Sequence, residues 1–129
     1  MIGHRPYVIR MELPSSLEDD ISTRTNRPMV EIGIEESESD SLDQYVSEQI
    51  DELVRFTPNM NVETNKTTLS GLPAYGLVMT SPGGGGKRMH IYTMTNQGIV
   101  YDIHYTAHED IFDTHLPIVE RMVNSFKII

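Results

Sequence analysis

Hydrophobic and polar residues alternate with period two from Met29 to Glu35. Val30, Ile32 and Ile34 fall on one side, and Glu31, Gly33 and Glu35 on the other. That alternation predicts a strand with one wet face, or one near a sheet edge. Tyr7 to Leu13 is rich in β-branched and long apolar residues and stops at Pro14, so it reads as a second strand. The polar stretch from Pro14 to Arg27 reads as a loop. Asn61 to Leu69 reads as a polar, exposed strand, and Ser70-Gly71 as a turn. Leu72 to Thr80 is apolar on both faces between Ala74 and Met79, which suits a central strand covered on each side. A Ser-Pro-Gly-Gly-Gly-Gly loop at 81–86 and the strand-like run Lys87 to Thr95 follow. The Asn96-Gln97-Gly98 corner leads into Ile99 to Thr106, where Ile99, Tyr101, Ile103 and Tyr105 oppose Val100, Asp102, His104 and Thr106.

Two segments carry helical rather than strand spacing. Ser41 and Gln44 form a capping-box pattern, and Leu42, Tyr45, Val46, Gln49, Ile50, Leu53 and Val54 then make one stripe. Asp43 near the start and Arg55 near the end match the helix dipole, and Pro58 and Asn59 close it. At the C-terminal end, Thr106 and Glu109 have capping-box spacing, but Pro117 costs about 3 kcal/mol inside a helix. The expectation is therefore a short helix over Glu109 to Thr114. A second starts near Leu116 with Pro117 in its first turn, and its stripe is Leu116, Val119, Met122, Val123 and Phe126. Bulky groups on both faces of the later strands predict an α+β domain in which a sheet has helices on both faces.

Length and composition set bounds on that picture. A chain of 129 residues is expected to be one domain, 1–129, burying roughly two-thirds of its unfolded surface. No apolar run approaches the roughly 20 residues that cross a bilayer, and no signal-peptide pattern opens the sequence, which leaves the compartment undefined. With no cysteine, disulfides, thiolate metal sites and cysteine nucleophiles are excluded. A formal net charge of -9 argues against nucleic acid and anionic membrane surfaces and in favour of a basic protein or a cation.

Three motifs, Thr67-Thr68-Leu69-Ser70-Gly71-Leu72-Pro73-Ala74-Tyr75, Tyr105-Thr106-Ala107 and Met122-Val123-Asn124-Ser125-Phe126-Lys127-Ile128, resemble the PsbP family. These are relatives of the extrinsic subunit of photosystem II that also occur outside photosynthetic organisms. The resemblance covers about Tyr7 to Ile129. It implies an antiparallel sheet between helices, an α/β/α sandwich shared with bacterial lipoprotein relatives and a Ran-binding nuclear transport factor. It further implies a non-catalytic module that works through protein-protein contacts. Family members usually open with a hairpin carrying Tyr-Pro-x-x-Trp, and this chain has no Trp. Loss of those strands would open a sheet edge, which suggests a homodimer through it.

Several residue sets could carry chemistry. Pro82 to Lys87 departs from a phosphate-binding loop twice, at Ser81 and Arg88, and lies between two strands, so it reads as a hairpin loop. Asp102, His104 and His108 are the candidate metal ligands, because imidazole with carboxylate holds Zn²⁺ or Mn²⁺. No tight ligand spacing supports them, and His108 and His115 lie about 10 Å apart along a continuous helix. The plant members of the family are linked to manganese and calcium, but their ligands do not map onto this sequence. A hydrolase would need Ser70 or Ser125 with His104 and Asp102, and neither serine stands in a G-x-S-x-G elbow.

Nine carboxylates between Glu31 and Glu52, uninterrupted by Lys or Arg, read as a solvated face, a patch for a basic partner or a loose Ca²⁺ site. Asn65-Lys66-Thr67 is a glycosylation sequon, relevant to an exported protein. Two functions follow. One is an assembly module with no catalytic site and no resident cofactor. The other is a protein that binds a small ligand or a divalent metal (Mn, Ca or Zn) in a cleft near Asp102, His104 and His108.

Overall fold

The computed structural model describes residues 7–12, 28–81 and 86–128. The polar loop expected over Pro14 to Arg27, the centre of the glycine loop and the side chains of the first strand lie outside what is described. Six strands, β1 (Tyr7–Glu12), β2 (Met29–Glu36), β3 (Asn61–Leu69), β4 (Leu72–Thr80), β5 (Gly86–Met94) and β6 (Ile99–His108), form one sheet in the order β1-β2-β6-β5-β4-β3. Every neighbouring pair is antiparallel. Among the described residues two helices, α1 (Leu42–Phe56) and α2 (Glu109–Ser125), accompany the sheet in this α+β fold. Among the described residues the outer strands are β1 and β3.

Tight turns set the register. Ser70 and Gly71 have φ of 54° and 79°, the left-handed pair of a two-residue hairpin, and they place Leu69 opposite Leu72. Gly98, at φ 79°, closes the β5–β6 corner, where the Thr95 carbonyl accepts the Gly98 amide at 3.0 Å. Met94 therefore meets Val100, and the ladder runs back through Tyr92 opposite Asp102 and His90 opposite His104.

Alternate strand positions feed two separate apolar clusters. Ile103, Tyr105 and Ala107 of β6 and Ile91 of β5 pack with Phe112 and Val119 of α2, joined at the margin by Met122, Val123 and Phe126. Val100 of β6, Tyr92 of β5, and Leu77 and Met79 of β4 pack with Tyr45 and Val46 of α1. The helix α1 starts as its sequence predicts. The Ser41 hydroxyl accepts the Gln44 amide at 3.1 Å, and the Gln44 side chain accepts the Asp40 amide at 3.0 Å.

The C-terminal helix differs from the expectation in two respects. It is one continuous helix with Pro117 inside it, not two. Phe112 and Val119, on either side of the proline, are 2% and 0% exposed. Burying such side chains is worth roughly 1.5–3 kcal/mol each, which offsets the missing N–H and keeps one axis. The N-cap is His108, whose Nδ1 accepts the Asp110 amide at 3.1 Å. Thr106 does not cap the helix, because β6 continues past it.

Candidate functional site

Side chains of alternate residues on β2, β5 and β6 place a polar cluster beside α1. Glu31, Asp102, His104 and His90 come together because β2 pairs Glu31 with His104 while β5 pairs His90 with the same residue. His90 Nδ1 lies 2.9 Å from Asp102 Oδ1. A carboxylate can only accept, so Nδ1 carries a proton and donates it to Asp102. The His90 and His104 rings stack with centroids 4.2 Å apart, and Tyr92 stacks on the other flank of His90 at 5.2 Å.

His104 is held neutral. Burial, and after it the neighbouring His90, lowers its pKa from 6.5 to about 4, while Asp102 and Glu31 pull weakly the other way. Its Nε2 is 2.7 Å from the Thr106 hydroxyl, and its Nδ1 is 3.9 Å from Glu31 Oε1. Next to it the Tyr45 hydroxyl donates to Glu35 Oε1 at 2.7 Å. Burial first, and Glu35 second, raises that phenol well above its ordinary value. Burial and the Asp102 charge do the same to Tyr92.

Two cavities flank the cluster. The larger, about 330 Å³, lies between the second half of α1 and strands β4 and β5, with Arg88, His90 and Tyr92 in its wall. The smaller, about 180 Å³, includes Glu35, Tyr45 and Asp102.

Of the residues singled out in the sequence, Asp102 and His104 do come together, and His90 joins them. His108 stands apart, four residues further along β6, which is about 13 Å of strand, with its Nδ1 engaged in capping α2. Among the described residues no group of three or more His, Asp or Glu side chains is placed to hold a metal ion. His115 turns back on its own helix, Nδ1 3.3 Å from the Ile111 carbonyl. Neither serine meets a histidine: Ser70 accepts the Ile128 amide at 2.9 Å, and Ser125 donates to the Met122 carbonyl at 3.0 Å.

His90 was missed in the sequence, although its signal was there. With Gly98 fixing the turn, counting back from Met94 and Val100 puts position 90 opposite 104.

The Ser70 bond also ties the L-S-G-x-P-A-Y turn to the chain's S-F-K-I ending, two motifs 58 residues apart in sequence. A family model for PsbP-like protein matches residues 5–128. This chain belongs to the PsbP-like family. Solved structures share the fold of this PsbP-like chain. One is a Pseudomonas aeruginosa protein of unknown function, PA94, with a TM-score of 0.75 and 13% identity, covering 97% of this chain and 85% of that one. Another is LpqN, involved in cell envelope biogenesis in Mycobacterium tuberculosis, with a TM-score of 0.51 and 12% identity over 94% and 82% of the two chains. No curated protein matched this PsbP-like sequence. No helix among its described residues is long and apolar enough to cross a membrane.

Proposed function

We propose that this PsbP-like chain is a non-catalytic binding and assembly module, its sheet covered by one helix on each face and its partners engaged on the outside. The observation that carries this reading is β3. Among the described residues it is an outer strand of nine residues, Glu63 through Thr68 are all exposed, and one row of its backbone N–H and C=O groups has no strand beside it there. The two apolar clusters support the layered arrangement, since they draw on alternate positions of β5 and β6. The acidic stretch adds a second contact surface. Glu36, Glu38, Asp40, Asp43, Glu48, Asp51 and Glu52 are exposed, a field that favours a basic partner.

The polar cluster beside α1 takes a structural part in this reading. Stacked rings and a carboxylate hold β2, β6 and β5 in register, and the two serines that could have supplied a nucleophile are bonded elsewhere. The occupant of the β3 edge most simply tested is a second copy of the chain. Light scattering across a concentration series is expected to show the mass rising from 14.6 kDa toward twice that value. Thr64→Lys with Thr68→Lys, which charges the edge, is expected to hold it at the single-chain mass. A mass of 14.6 kDa at every soluble concentration contradicts the reading.

A further inference from the structure

The wall of the 330 Å³ cavity carries a cation, Arg88, that forms no ion pair among the described residues. Arg88 is half-buried on β5, on the side that faces α1, and among the described residues it has neither an ion pair nor a hydrogen bond from its side chain. That is an unusual place for a lone guanidinium in a chain with a net charge of -9, where carboxylates to pair with are plentiful. A charge drawn partly out of water is costly unless something meets it, and a guanidinium presents its donors in a fork that fits a carboxylate.

The remaining wall is apolar and aromatic. Leu77 and Met79 of β4 and Tyr92 form the sheet side, and Leu53 and Phe56 of α1 the helix side. Phe56 is 75% exposed, a large ring left beside the opening. The volume lies at the lower end of the range in which proteins hold small organic molecules.

We propose that this cavity binds a small organic carboxylate with a compact apolar body. The carboxylate pairs with Arg88, and the hydrocarbon lies against Leu53, Leu77 and Met79. His90, its Nδ1 proton committed to Asp102, adds a polar wall beside the Arg88 end without supplying a competing negative charge. Glu52 also borders the cavity but is exposed, so water screens its repulsion of the ligand. The site goes beyond the assembly role and is independent of it, since it needs neither the β3 edge nor a partner.

The test is calorimetric titration of the purified full chain, dilute enough to exclude self-association, with octanoate and, in parallel, with octanol. Octanoate is expected to saturate one site per chain and octanol to bind about tenfold more weakly or less. Arg88→Gln is expected to weaken octanoate by about tenfold or more and to leave octanol unchanged. Glu52→Gln is expected to bind octanoate at least as tightly as the parent. Circular dichroism on each variant confirms that the fold is kept, and Leu53→Trp, which fills the cavity, serves as a second block. The proposal is overturned by any of four results: octanoate does not saturate, octanol equals octanoate, folded Arg88→Gln binds octanoate like the parent, or folded Leu53→Trp does.

Discussion

The Ser70 hydroxyl accepts the backbone amide of Ile128 at 2.9 Å, so the β3–β4 turn holds the end of the chain. This bond gives the serine a structural task in place of the nucleophilic one that its neighbouring glycine suggested. It also brings together two of the three sequence motifs by which the chain resembles its family.

Ser70→Ala is expected to lower stability by about 1 kcal/mol, the usual worth of one such hydrogen bond. Ser70→Gly loses the same bond but relieves a non-glycine residue at φ 54°, worth roughly 1–2 kcal/mol, and is expected to fall near the parent. Urea denaturation of the two variants separates the effects. An alanine variant as stable as the parent would show that the bond contributes little, and a glycine variant no more stable than alanine would show that the φ relief does.

His104 makes stability depend on acidity. Its pKa is about 4 in the fold and 6.5 as an ordinary histidine, so below pH 6.5 the unfolded chain binds a proton that the folded chain refuses. The sign is therefore fixed. Its contribution is fully present above pH 6.5 and drains away as pH falls toward 4, up to about 3 kcal/mol over the whole window. Thermal unfolding from pH 7.5 to 4 is expected to show a decline that His104→Phe flattens, since phenylalanine keeps the stack on His90 and cannot titrate. Equal slopes for parent and variant would assign the decline to other groups.

Pro117 sits well inside α2 and lacks the N–H that would bond the Asp113 carbonyl. Pro117→Ala restores that donor and is expected to stabilise the protein by about 1–3 kcal/mol. A rise in the denaturation midpoint checks it. A fall would mean that the proline ring contributes packing which alanine cannot replace.

Thr93 is fully buried and its hydroxyl donates to the Pro73 carbonyl at 2.7 Å, joining β5 to the start of β4. Thr93→Val keeps the shape and strands that carbonyl, with an expected cost of about 1–3 kcal/mol. Thr93→Ser keeps the donor and is expected to cost less. The ordering of the two denaturation midpoints decides the matter.

Much of the fold was legible because its signals are local. Val30, Ile32 and Ile34 fixed the period of β2. Ser41 with Gln44 marked the start of α1, and Gly71 and Gly98 marked two hairpin corners. The continuity of α2 was not legible. A proline penalty is visible in the sequence, whereas the burial of Phe112 and Val119 that outweighs it arises only when the helix meets the sheet. The same holds for the site. Asp102 and His104 share a face by simple alternation, but His90 reaches them from another strand, and the cavity forms between α1 and two strands that no local pattern brings together. His108 looked like a third ligand because it is near in sequence. It lies further along the strand and caps α2 instead.

The assembly role is tested most directly by amide hydrogen exchange along β3, comparing dilute with concentrated protein by NMR. The outward amides between Glu63 and Thr68 are expected to gain protection on concentration, while those bonded to β4 change little. Exchange over this strand that stays fast and unaltered as the protein is concentrated would contradict the claim that β3 is where another chain joins.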